Sequence, residues 1–282
     1  MQLKITLILI FGFLQSTFLS ATSLFDWTTS IEQWERPNLE PLDCIYVINL
    51  DTRPEKWISI QKMFAKENVI ASRFKAIDGF DIPANDRDRL APPSSKIQIG
   101  GIGCYLSHLS IFLHAFEQNF DYIWICEDDI VFLQPLSLIS QMIQKLDALD
   151  PKWDMLWTER EWKNDAGQEV PGYLLFPTHH RVVTEYFEAR CRKKNVSKEF
   201  QRTGLRGGGY SYILSKRGIQ KCINHFESLK IIEHPSDGEL HYIQGLREYC
   251  VRKDLVIHSP TSPFSDTTRK EKIEGENREF FH

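Results

Sequence analysis

"CIYVINLDTRPEKWISIQKMFAKENV", residues 44–69, holds two periodicities in succession. Cys44 to Leu50 is a compact β-rich run, and after it Trp57, Ile60, Phe64 and Val69 recur at the spacing of an amphipathic helix. A strand running straight into a helix is the opening of an α/β domain. Downstream, "SRFKAIDGFDI" reads as a second short strand ending at an Asp78-Gly79 turn, and "IPANDRDRLAPPSSK" as a breaker-rich connection. "GCYLSHLSIFLHAFEQN" sets Leu106, Leu109, Phe112, Leu113 and Phe116 at helical spacing, and "DYIWICEDD" follows as a third β-rich run. After Pro135 the pattern predicts a helix to about Leu149 and a strand at "WDMLWT". Arg160 to Arg206 reads as loop. "GGGYSYILSKRGIQKCINHF" restores a glycine turn, strand and helix, and a polar tail follows Val256. The alternation predicts an α/β fold with a mostly parallel central sheet flanked by helices, in which ligands gather at the carboxyl edge of the strands. Both Asn49-Leu50-Asp51 and Glu127-Asp128-Asp129 fall at such edges.

The second of these is the chemically loaded one. "IWICEDDIVF", residues 123–132, ends an apolar strand in three consecutive carboxylates, which repel one another and resist desolvation. A hard divalent cation such as Mn²⁺ or Mg²⁺, shared with the phosphates of a ligand, makes the arrangement tolerable. So does pairing with Lys or Arg. The first case is the wiring of nucleotide-sugar chemistry, where the ion neutralises charge on a departing diphosphate.

Upstream, residues 1–23 place an apolar run from Ile5 to Leu19 behind the single basic Lys4, with small residues at Ala21 and Ser23. This reads as a secretory signal peptide, with an uncleaved membrane anchor as the rival. Residues 24–43, broken by Pro37 and Pro41, form a lead-in arm, and 44–282 read as one catalytic-size domain. No second run of spanning length is expected. Lys plus Arg number 34 against 38 Asp plus Glu, which argues against a nucleic-acid partner. The six cysteines show no CxxC spacing, which speaks against a zinc site. Cys44, Cys104 and Cys126 lie in apolar segments and read as packed thiols. Export would permit disulfides among Cys191, Cys222 and Cys250. Asn195-Val196-Ser197 is a sequon for N-glycosylation.

Six blocks taken together, "IYVINLDTRPEKW", "RFKAIDG", "IGCYLSHLSIF", "WICEDDIVF", "GGGYSYILSKRGIQKCI" and "SDTTR", resemble glycosyltransferase family 25 in kind and order, over most of Ile45 to Arg269. That family comprises bacterial lipooligosaccharide β-galactosyltransferases and animal procollagen galactosyltransferases. The resemblance implies a GT-A type nucleotide-sugar-binding fold, a UDP-sugar donor (commonly UDP-galactose), a divalent metal with Mn²⁺ ahead of Mg²⁺, and transfer with inversion. It also implies that Asn49, Leu50 and Arg53 form the strand edge meeting the nucleotide, with Asp78 near the base or ribose. Glu127 and Asp128 become ribose and metal neighbours, and Asp129 the direct metal ligand.

Other residues keep two readings. Ser107 and His108 either position the diphosphate or sugar or form a buried, satisfied pair. Gly207, Gly208 and Gly209 suit close approach to the donor or a flexible turn. An inverting reaction needs a general base, for which Asp237 and Asp266 are the candidates, both also able to cap helices. His258 is a candidate to complete the metal shell. The family pattern often has a second arginine where this chain has Trp57. Arg190, Arg192, Lys193, Lys194, Lys198, Arg202 and Arg206 form a basic segment, read as a solvated mobile loop or an acceptor loop for anionic partners.

The expected activity is metal-dependent transfer of a hexose, most readily galactose, from a UDP-sugar to a hydroxyl of a glycan, lipooligosaccharide or protein. The contrasting expectation is a secreted, non-catalytic binding or adhesion protein that keeps the fold. The N-terminal segment points to the endoplasmic reticulum or Golgi lumen, or to the cytoplasmic face of a membrane if it remains as an anchor.

Overall fold

A computed structural model describes residues 23–95, 97–160, 193–204, 206–259 and 266. The signal-peptide or anchor segment up to residue 22, Cys191, Arg190 and Arg192 lie outside the described residues.

The strand-helix opening is present as β1 (Cys44–Asn49) and α1 (Pro54–Lys66), followed by β2 (Ser72–Lys75). Next come α2 (Ala84–Leu90), α3 (Ile99–Glu117), β3 (Tyr122–Glu127), β4 (Ile130–Phe132), α4 (Ser137–Leu149) and β5 (Met155–Trp157). The described remainder supplies β6 (Lys194–Asn195), β7 (Phe200–Arg202), β8 (Ser211–Ser215), α5 (Lys216–Ser228), α6 (Ser236–Leu240), β9 (Glu248–Val251) and β10 (Val256–His258).

Eight of the described strands form one sheet in the order β2-β1-β3-β8-β5-β9-β7-β6. The pairings β1 with β2, β1 with β3 and β5 with β9 are parallel, and among the described strands only β8 and β7 run against the common direction of the sheet. The fold is therefore mixed α/β with a mostly parallel central sheet.

Alternation along the strands divides the core into two layers. Tyr46 and Ile48 of β1, Ile123 and Ile125 of β3 and Tyr212 and Leu214 of β8 face the side covered by α3 and α5. Ile45, Val47, Trp124, Cys126 and Ile213 face α1 and α4, where Ile60, Phe64, Ile139, Ile143 and Leu146 meet them. A sheet buried on both faces explains why these strands read as unbroken apolar runs.

Helix α3 is long and apolar enough to cross a membrane by length and composition, which qualifies the expectation that no second such run exists. It is the central core helix instead. Its polar groups are bonded within the fold: Ser107 and Ser110 donate to Gly103 O and Leu106 O, and His114 meets the Tyr46 hydroxyl at 2.6 Å. The lead-in arm lies on this helix too, with Leu24 in the core and Thr29 N donating to Ser110 Oγ.

Three further expectations need correction. The connection read as breakers contains α2, whose sequence is polar because Leu90 is its only buried residue. The basic segment read as loop forms, over its described part, the β6–β7 hairpin on the sheet edge; β7 pairs with β9, and Phe200 is buried in the core. Arg206 is buried as well, stacked over Trp157 and paired with Glu159. Cys222 and Cys250 are both buried, and no disulfide joins them; Cys191, the third cysteine of that expectation, lies outside the described residues.

Candidate active site

Register brings the chemistry together. β1 and β3 are parallel neighbours with Ile48 opposite Glu127, so Asn49 and the acidic triplet emerge at one carboxyl edge. β8 runs the other way, and its first residue, Ser211, pairs with Cys126, which puts Gly207 to Gly209 at the same edge. β10 pairs antiparallel with β4, setting His258 opposite Ile130 and beside Asp129. Ser259 N closes that corner by donating to Asp129 O at 2.7 Å.

The turn after β2 completes the wall through a tight backbone contact. A Cβ on Gly103 of α3 would stand 2.2 Å from Ile77 O and 2.4 Å from Gly79 N, and one on Gly79 would stand 1.9 Å from Ile99 O. Only two glycines let the turn lie flat on the helix. Asp78 then caps the turn by accepting from Phe80 N, and Ser107 Oγ accepts from Ile77 N.

The resulting cleft has a volume of about 660 Å³, open solvent included. Leu50, Asp78, Ser107, Glu127, Asp128, Asp129, His258 and Asp266 line it, with Lys56 among them. Lys56 Nζ stands 2.7 Å from Asp266, 3.1 Å from Asp129 and 3.4 Å from Asp128, its side chain only 17% exposed. Arg53 also grips Asp266, with Nε to Oδ1 at 2.6 Å.

Electrostatics follow from this geometry. Burial, reinforced by the charges of Asp129, Asp128 and Asp237, pushes the Glu127 carboxyl well above the usual carboxylate range. Burial raises Asp128 to about 6 against the opposing hydrogen bond from Asn49 and charge of Lys56. For Asp129 burial also opposes ionisation, but His258 and Lys56 outweigh it and hold the group at about 2. Lys56 is raised despite its burial, by the Asp266 hydrogen bond and the charges of Asp128 and Asp129. His258 is raised by its bond to Asp129.

Several residues expected at the site stand beside the cleft and are not among those lining it. Asn49 is buried, donating to Asp128 Oδ2 at 2.6 Å and to Arg53 O, and accepting from Arg73 Nε. It aims the Asp128 carboxylate. His108 is buried with Nδ1 at 2.6 Å from the Tyr212 hydroxyl, and its burial lowers it to about 4. Gly208, at φ 88°, donates its N–H to Asp237 Oδ2 at 2.6 Å, and Asp237 Oδ1 accepts from Gly238 N. The Cβ of Asp237 and the His108 ring both border Gly209.

The sequence reading missed Lys56 and Cys104. Lys56 lies one helical turn after Arg53, directly behind the carboxyl edge of β1, and that position was the available signal. Cys104 lines the cleft, although its apolar neighbours suggested a packed thiol.

Fold and site together define an α/β protein with an acidic ligand cleft at the carboxyl edge of its sheet. Residues 43–238 match the family described as "Glycosyltransferase family 25 (LPS biosynthesis protein)", and the chain belongs to that family. It is 22% identical over 191 residues to "Lipooligosaccharide biosynthesis protein lic2B" of Haemophilus influenzae, covering 65% of this chain and 64% of the relative. It is 28% identical over 122 residues to "Glycosyltransferase 25 family member" of Drosophila melanogaster, covering 39% of this chain and 19% of the relative. It is also 22% identical over 156 residues to "Inactive glycosyltransferase 25 family member 3" of Homo sapiens, covering 50% of this chain and 26% of the relative. The chain thus spans less than two thirds of these relatives. Among solved structures, mouse xyloside xylosyltransferase 1 in its apo form aligns over 70% of this chain and 66% of its own, at 12% identity and a TM-score of 0.27.

Proposed function

We propose that the protein transfers a hexose, galactose by first choice, from a UDP-sugar to a hydroxyl of a glycan, lipooligosaccharide or protein acceptor with inversion. The observation that carries this reading is the convergence of Asp128, Asp129, Asp266 and His258 with Lys56 in one cleft. Lys56 brings N–H donors to the cleft and Arg53 stands beside it on the lining residue Asp266, both suited to diphosphate oxygens. Glu127 and Asp78 both line it and are assigned to the ribose and base.

The residues present fit a divalent ion. Asp129 Oδ2 and His258 Nε2 are 3.5 Å apart and line the same cleft, a carboxylate and imidazole pair that suits Mn²⁺, with Mg²⁺ as the alternative. When bound, the ion supplies Lewis-acid stabilisation of the departing diphosphate. We assign the general base to Asp237 and treat Asp266, held by Arg53 and Lys56, as their counter-ion. Asp237 already accepts two backbone N–H groups, which fixes its orientation and leaves lone pairs for an acceptor hydroxyl.

One observation favours a second reading, a non-catalytic binding protein: the Lys56 ammonium stands where the carboxylates converge. Incubation with Mn²⁺ and a panel of UDP-sugars separates the two. UDP release with at least one sugar, lost in Asp129→Ala, supports transfer. Donor binding without transfer, unchanged in Asp129→Ala, supports the binding protein, and no donor binding by calorimetry overturns both. We place the activity in the secretory lumen, with the cytoplasmic face of a membrane as the alternative; N-terminal sequencing of the cellular protein and protease protection of membrane vesicles distinguish them.

A further inference from the structure

On the α3 side of the cleft, Cys104, His108 and Glu127 bring a thiol, an imidazole and a carboxylate within 4.8 Å of one another. Cys104 and His108 are four residues apart on one helix and share a face. Glu127 ends β3 at the edge that this face covers. His108 is 1% exposed, and its Nε2 has no hydrogen-bond partner among the described residues. A buried polar atom left in that state is costly unless it has a ligand. Its other nitrogen is fixed by Tyr212, and donation of Nδ1–H to that hydroxyl leaves the Nε2 lone pair free to bind a cation.

We propose that Cys104, His108 and Glu127 form a site for a borderline-soft divalent cation, zinc by preference, distinct from the carboxylate cluster around Asp129. One sulfur, one imidazole nitrogen and one carboxylate oxygen are the donor types zinc prefers, whereas Mn²⁺ and Mg²⁺ favour oxygen. A tetrahedral ion with zinc's bond lengths spaces its ligand atoms about 3.3–3.8 Å apart. Side-chain rotations moving these atoms by about 1 Å therefore close the site. On binding, the Cys104 thiol releases its proton to solvent and Sγ exchanges its 3.6 Å contact with Ser236 Oγ for the metal.

Three protein ligands leave the fourth tetrahedral position open. Cys104 and Glu127 both line the cleft, so that position faces it and takes a water or an oxygen of a bound ligand. Zinc here ties Glu127 to α3 and opposes donor binding. The site rests on its own geometry, and its test does not depend on glycosyl transfer.

The test uses the full chain with Co²⁺ as a spectroscopic probe, followed by Zn²⁺. One equivalent of Co²⁺ is expected to give a thiolate-to-cobalt charge-transfer band that one equivalent of Zn²⁺ removes. Cys104→Ser and His108→Gln each lose the band and weaken zinc binding by about 100-fold or more, while Asp129→Ala keeps both. X-ray absorption on the zinc-loaded unmodified protein, which needs no variant to fold, is expected to show one sulfur at about 2.3 Å and nitrogen or oxygen at about 2.0 Å. A shell without sulfur, a band that survives Cys104→Ser, or a band lost in Asp129→Ala overturns the proposal. Loss of sugar transfer with the band intact bears on the enzymatic reading alone.

Discussion

Three carboxylates within reach of one ammonium set the behaviour of the cleft at neutral pH. Removing Lys56 takes the shared ammonium from Asp128, Asp129 and Asp266, while Arg53 still contacts Asp266 and His258 still contacts Asp129. Breaking a largely buried ion pair from one side is strongly destabilising, so Lys56→Met is expected to lose about 2–4 kcal/mol at pH 7. Because the deficit is one of positive charge, added Mn²⁺ should restore stability to the variant more than to the parent. Urea unfolding with and without Mn²⁺ checks this, and equal metal responses would contradict it. His108 offers a second handle. Its folded pKa is about 4 against an ordinary 6.5, so between those values the unfolded chain holds a proton that the folded chain lacks. Stability at this group is full above pH 6.5 and falls as pH drops toward 4, by about 3 kcal/mol in all. His108→Gln should therefore flatten the acid limb of the stability curve between pH 6.5 and 4. Parallel limbs for variant and parent would show that this histidine does not fold neutral.

The contact between α3 and the turn after β2 gives a prediction with opposite signs at neighbouring glycines. A methyl group at Gly103 meets two backbone atoms that cannot yield without lifting the turn that carries Asp78. Gly103→Ala is expected to lose about 1–3 kcal/mol and, on the proposed function, to weaken UDP binding. At Gly101, where the nearest atom to an added Cβ is Gln98 Cβ at 4.0 Å, alanine should gain roughly 0.5–1 kcal/mol by helix propensity alone. Chemical denaturation of both variants tests the contrast, and a loss in both would mean that propensity and space do not decide here. Elements of this kind were legible where periodicity is strong: β1, α1, α3, β3, α4, β8 and α5 all lie where their apolar spacing puts them. α2 was not, because a seven-residue helix with one buried side chain carries almost no periodic signal. β6, β9 and β10 are short, and their identity comes from the strands they pair with.

Direction and convergence belong to the whole molecule and have no local signature. Nothing within Ser211–Ser215 says that β8 runs antiparallel between β3 and β5, yet that reversal is what carries the glycine turn to the same edge as the acidic triplet. Likewise the triplet was legible as a charge problem, but its solution by a lysine 73 residues from Asp129 was not, since it requires β1 and β3 to be neighbours. The family match stops at residue 238, whereas the sheet does not: β9 pairs with β5 and β7, and β10 brings His258 to Asp129. Leu240, Ile243, Leu246, Val251, Leu255 and Val256 are all buried beyond that point. Each contributes about 1.5–3 kcal/mol on burial, which together rivals the roughly 5–15 kcal/mol stability of a domain. A chain ending at Gly238 is therefore expected to lose cooperative unfolding and near-ultraviolet dichroism, and with them donor binding. A sharp urea transition at the full chain's midpoint would instead show that the matched region is self-sufficient and that β9 and β10 serve only to position the site.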